Sequence, residues 1–193
     1  MSAEPMAGWH RPPAEGYFAD DLDQLPDLPP HTELIDGAII TMSPQKLFHM
    51  KAVSLLQHAL LRLAPFEQYR VRREMSVVLG PRQRVEPDVM LVDAGAEISP
   101  EGTWYPADAV LLAIEVVSPD SEERDRKRKP QLYAEAGIDW FWRVEDADGK
   151  IVLYVYELDP ATRQYMPLGI FHDRVTLSVP FPIDIDLTEI DRL

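Results

Sequence analysis

Cysteine is absent from the 193 residues, and that one absence removes several classes of function. There can be no disulfide framework, no thiol nucleophile and no cysteine-type zinc site, a pattern that fits a reducing compartment. Glycine is scarce, at nine residues, and nowhere forms the clustered loop that cradles a phosphate. Serine occurs in "VSPDS" (117–121), but without the flanking glycines of a hydrolase elbow. No apolar run approaches the roughly 18 residues needed to cross a bilayer. The start, "MSAEPMAGWHRPPAEG", has no basic segment followed by an apolar one, so no signal peptide is expected. The expected address is cytoplasmic, with no membrane partner.

Positive charge is also in deficit. With 19 Lys and Arg against 33 Asp and Glu, the formal charge is −14, which by itself argues against a polyanionic partner. The distribution tempers this. Acids gather near the ends, in "DDLDQLPD" (20–27) and "DIDLTEIDR" (184–192), while "RVRRE" (70–74) and "RDRKRK" (124–129) are basic. Each basic run reads either as solvated surface or as a cationic lane on an acidic exterior.

What is present suits one compact domain with its own core. Residues 1–30, rich in Pro and acids, read as a mobile or draped arm, and 31–193 as a single domain. "TELIDGAIITMSP" predicts a hairpin turning at Asp36-Gly37. Ser43-Pro44 then offers a helix start, followed by apolar residues at three- and four-residue spacing through Leu63. Strands are expected at about 70–79, 85–92 and 110–117, the last apolar enough to be buried on both faces. Pro130 is tolerated only in a first turn, so the next helix is expected to start near Lys129 and to end at Gly137. "DWFWRVE", "KIVLYVYEL", "QYMPLGIF" and "RVTLSV" read as further strands. The expected fold class is α/β, a mixed central β-sheet flanked by helices, with additional C-terminal β-hairpins.

Two acids stand where strands meet their ends. Asp88, after Pro87, opens one expected strand, and Glu115 lies near the end of another. If those strands are neighbours in register, the two carboxylates converge and repel, and a divalent cation between them resolves the conflict. All-oxygen ligation favours a hard ion, Mg²⁺ or Mn²⁺. Taken singly, Asp88 could be a strand-entry turn residue and Glu115 the partner of a buried Arg; taken together they favour a site.

"EPDVMLV" and "IEVVSPDS…RDRKRKPQLYAEAGIDWFW" resemble the Uma2 (DUF820) group of the PD-(D/E)XK nuclease-like superfamily. "ELIDG", a following helix that bears His49, and the tail "FPIDIDL" extend the likeness over nearly the whole chain. The resemblance implies a restriction-endonuclease-like fold and metal-dependent hydrolysis of DNA phosphodiesters. It implies Asp88 and Glu115 as metal-binding acids, the Val116 carbonyl as third protein ligand, and Glu33 and His49 as further catalytic candidates. Val117 occupies the position where the superfamily expects Lys, and Lys129 is offered as the relocated amine, with Tyr133 one turn on to orient it and Asp125 as a supporting residue. Arg124, Arg126, Lys127 and Arg128 would touch the nucleic-acid backbone, and a homodimer would suit double-strand cleavage. The alternative is a catalytically silent nucleic-acid- or protein-binding module that keeps the fold, a reading favoured by Val117 and the acidic surface.

Overall fold

The computed structural model describes residues 12–96 and 98–193. Residues 1–11 of the expected arm lie outside the described residues. From residue 12 onward the chain runs along the body of the protein, where Tyr17 and Ala19 are buried and Asp23 pairs with the buried Arg84 at 2.9 Å.

The hairpin forms as its turn residues require. β1 (Thr32–Ile35) and β2 (Ala38–Thr41) pair antiparallel, and Asp36 and Gly37 both take positive φ, at 54° and 78°. Two such residues give the turn a twist that matches the flanking strands. Helix α1 (Leu47–Leu63) follows, four residues after the Ser43-Pro44 start expected. Its apolar stripe, Ala52, Val53, Leu56, Ala59 and Leu60, is buried.

The next two expected strands each prove to be two. The run at 70–79 divides into β3 (Tyr69–Arg73) and β4 (Ser76–Gly80), broken at Glu74 with φ of 50°. The run at 85–92 divides into β5 (Gln83–Val85) and β6 (Val89–Asp93), parted by Glu86-Pro87-Asp88. At both breaks the chain passes from one sheet to the other. Alternation of apolar residues continues across such a crossing, so periodicity alone cannot reveal it.

β7 (Trp104–Pro106), β8 (Val110–Val116), β9 (Trp140–Ala147), β10 (Lys150–Asp159) and β11 (Gln164–Phe171) complete two mixed sheets. One has the order β2-β1-β5-β4-β7, the other β11-β10-β9-β8-β6-β3. A C-terminal hairpin, β12 (Arg174–Leu177) with β13 (Ile183–Asp186), buries Val175, Ile183 and Ile185 against the core. The central β8 pairs antiparallel with β6 and parallel with β9, and all but one of its residues are buried. On one face of the six-stranded sheet lies α1, over Leu91, Leu112, Ile114 and Trp142. The other face carries Met90, Ala113 and Phe141 against the second sheet and α2 (Lys129–Ala136).

Helix α2 begins at Lys129, as expected, but as the continuation of a longer helical run. Residues 122–136 are continuously helical, with a π turn over Arg124–Arg128 that closes through Lys129 N–H to the Arg124 carbonyl. A regular helix would press the Pro130 ring against the carbonyl four residues back, and the wider turn relieves that clash. The C-terminus ends as expected, on Gly137 in the left-handed region at φ 87°. Among the described residues, no helix is long and apolar enough to cross a membrane.

Candidate active site

Antiparallel pairing sets Val89 opposite Ile114, so the register continues to bring Asp88 opposite Glu115. The pleat carries both acids to the face covered by α2 and the smaller sheet. Asp88 Oδ2 accepts the Val116 N–H at 2.6 Å, and Oδ1 lies 3.0 Å from His49 Nε2 in the first turn of α1. Val116 thus meets Asp88 through its amide nitrogen.

Lys129 is entirely buried, and its ammonium is the hub of the cluster. Nζ stands 2.8 Å from Glu33 Oε1, 3.1 Å from each Glu115 oxygen and 3.5 Å from Asp125 Oδ1. Tyr133 donates to Glu115 Oε1 at 2.5 Å. The sequence spacing put Tyr133 beside the lysine; its hydroxyl orients the acid instead. Ser121, just before the helix, donates to Asp125 Oδ2. Glu33 Oε1 also accepts the Glu86 N–H at 2.8 Å, whereas Glu33 Oε2 is buried without a hydrogen-bond partner.

Three carboxylates, Glu33, Glu115 and Asp125, therefore share one lysine, with Asp88 held beside them by the Val116 N–H and His49. Burial drives the Glu115 pKa well above the ordinary glutamate range; Lys129 opposes the rise, and Asp125, Asp88 and Glu33 add to it. Asp125 is raised by burial in the same way. Burial also works against the Lys129 ammonium, but Glu115, Glu33 and Asp125 prevail and push its pKa well above that of a free lysine. Lys129 is thus a fixed cation and not a proton acceptor. Tyr133 is raised well above the usual range by burial and then by Glu115, so its hydroxyl keeps the proton it donates.

The cluster is open to solvent on one side. A cleft of about 320 Å³ is lined by His31, Glu33, Met42, His49, Glu86 and Asp88, among others. The surplus of carboxylates over ammonium, the orphaned Glu33 Oε2 and the wholly oxygen donor set fit a hard divalent cation at Asp88 and Glu115. Among the described residues no three His, Asp or Glu side chains are already gathered into a finished cage.

The basic run takes a different course from a single cationic lane. Arg126 is bonded to Glu122 and Glu145, Lys127 lies 3.3 Å from Glu123, and Arg128 clamps Asp36 of the β1–β2 turn at 2.8 and 2.5 Å. Arg124 reaches Met42 Sδ at 3.8 Å, beside the cleft, and its buried Nε has no hydrogen-bond partner. Val117 is half-buried and borders a smaller cavity of about 180 Å³ on the far side of His49.

Sequence reasoning overlooked two participants. His31, at φ 57°, holds Glu86 through Nδ1 at 2.5 Å at the mouth of the cleft. Their 55-residue separation leaves no signal in the sequence. Ser121 was legible in principle, because it stands four residues before Asp125.

A model of the Uma2 family, described as putative restriction endonuclease, matches residues 19–189. Among solved structures, the crystal structure of a putative nuclease belonging to DUF820 from Anabaena variabilis ATCC 29413 superposes with a TM-score of 0.69 at 18% identity. The match covers 89% of this chain and 95% of that one. At that identity the likeness shows a shared fold. No curated protein matches the chain.

Proposed function

Because the chain belongs to the Uma2 family, we propose that it hydrolyses DNA phosphodiester bonds at the acid–lysine cluster with a bound Mg²⁺ or Mn²⁺. The observation that carries this reading is Lys129. A helix delivers a fully buried ammonium to Glu115 and Glu33, beside Asp88, where the neighbouring strand offers only Val117.

When bound, the divalent ion would supply Lewis-acid chemistry, generating a hydroxide-like nucleophile and polarising a phosphoryl oxygen. Asp88 and Glu115 would hold it, with the Val116 carbonyl as third protein ligand. Tyr133 fixes one Glu115 oxygen, and Lys129 fixes both, so the acid presents a single orientation. His49 holds the other acid by its Oδ1 and lines the cleft, where it can touch the phosphate. Asp125 and Ser121 keep the lysine in place. Lys129 balances negative charge as it grows on the phosphoryl oxygens; loss of one such donor typically costs about 3 to 4 kcal/mol, or roughly 10²- to 10³-fold in rate. Arg124, beside Met42, and Arg126, on the adjoining cavity, are the basic residues best set for backbone contact without sequence readout.

One observation favours the silent binding module. Both Glu115 oxygens are already engaged by Lys129 and Tyr133. Plasmid nicking with Mn²⁺ decides between the two readings. The proposal expects wild type to nick and Asp88→Ala and Lys129→Met to fall at least about 10²-fold. A wild type that binds DNA without nicking it would establish the silent module.

A further inference from the structure

A third cavity, of about 490 Å³, opens on the outer side of α2, away from the acids. That is ample for a small ligand. Its floor is aromatic. Phe141 stacks with Tyr156 at 5.8 Å between ring centroids and with Tyr165 at 5.5 Å, the planes within 28° of each other. Its walls carry Arg126, Arg143 and Arg163 against a single lining carboxylate, Glu135. In a chain of charge −14 three guanidinium groups converge here, two of them backed by Glu145 from outside the lining.

The guanidinium groups are held in advance. Arg143 lies over Tyr154, 4.4 Å from the ring centroid, and Arg126 is fixed by Glu145 at 2.6 and 3.1 Å. Arg143 Nε, buried and 2.9 Å from Glu145 Oε1, makes no properly directed hydrogen bond. The partly exposed rings of Tyr156 and Tyr165, backed by the buried Phe141, beside guanidinium groups suited to an anion, match the two halves of a nucleotide.

Single residues link the lining of this cavity to that of the proposed active site. His49 lines both the acid cleft and the 180 Å³ cavity, and Arg126 lines both that cavity and the aromatic one. We propose that the aromatic cavity binds a nucleoside phosphate. Two sources share this chemistry: an unpaired nucleotide of a strand lying in the cleft, which rests on the nuclease reading, and a free mononucleotide, which does not.

The test is calorimetric titration of the full chain with AMP, with dTMP and with a 12-nucleotide single strand, for wild type, Arg163→Glu and Arg143→Met. Arg163 sits in the β10–β11 turn, outside the acid cluster, so its charge reversal leaves the fold and the nicking centre intact. The proposal expects Arg163→Glu to weaken binding roughly tenfold or more, as loss of a charge-assisted contact should. Loss confined to the single strand identifies a substrate nucleotide, and loss of the mononucleotides alone identifies a free ligand. Unchanged binding in both variants, or no wild-type binding of any probe, overturns the proposal. Neither result touches plasmid nicking, which is read separately.

Discussion

Lys129 and Glu115 are in contact, yet their removal should have opposite effects on stability. Lys129 is the one cation among the buried acids Glu33, Glu115 and Asp125, and Lys129→Met leaves their negative charge uncompensated. A loss of about 3 to 5 kcal/mol is expected in urea unfolding at neutral pH. Glu115→Gln removes a surplus negative charge while keeping an oxygen for the Tyr133 hydroxyl, and should leave stability within about 1 kcal/mol of wild type or raise it. The sign with pH follows from the raised pKa of Glu115. The folded protein binds that proton more tightly than the unfolded chain, so ionised Glu115 opposes folding. The opposition begins as pH rises above the ordinary glutamate range and is complete above the folded pKa. The stability of Glu115→Gln relative to wild type should therefore increase with pH across that window and level off below it. A Glu115→Gln variant that lost as much stability as Lys129→Met would show that the acids are not in surplus.

At the scale of elements, the cluster depends on two places where the chain departs from regular structure. The first is the crossing at Glu86-Pro87-Asp88, which puts Asp88 at the head of β6 and the Glu86 N–H on Glu33. Pro87 announced a boundary in the sequence, but nothing there told which sheet lay on either side. The second is the π turn before Pro130. The sequence rule for proline holds, in that no regular helix passes through it, but a wider turn satisfies the rule without ending the helix. That outcome keeps Asp125 on the same helix as Lys129 and Tyr133. The far end of α2 was readable from Gly137 alone, because φ of 87° penalises any side chain. Gly137→Ala should lower stability by about 1 kcal/mol in thermal unfolding. Alanine tolerated without loss would mean that the helix end relaxes into another conformation.

Across the whole molecule, the acidic balance and the basic run resolve differently from their appearance in sequence. Arg126, Lys127 and Arg128 are adjacent in the chain but spend their charge on Glu145, Glu123 and Asp36, three acids in separate places. Helix spacing could have foretold the two pairings at four residues, Arg126 with Glu122 and Lys127 with Glu123, but not those at 19 and 92. The central strand β8, the first hairpin, the long amphipathic helix and the placing of Asp88 beside Glu115 were legible, since each follows from local chemistry or from pairing of neighbours. The two-sheet division and the His31–Glu86 pair were not, because both depend on contacts between distant segments. What the fold assembles is a cleft whose walls are acidic, a buried ammonium behind them, and a separate arginine-rich cavity on the outer side of α2. The proposed chemistry stands or falls with a divalent ion held by Asp88 and Glu115 together. The most direct test is calorimetric titration with Mn²⁺ in the presence of a short DNA duplex, comparing wild type with Asp88→Asn and Glu115→Gln. Saturable binding to wild type and its loss in both variants are expected; wild-type binding unaltered by either substitution, or none at all with DNA present, would rule out the shared ion.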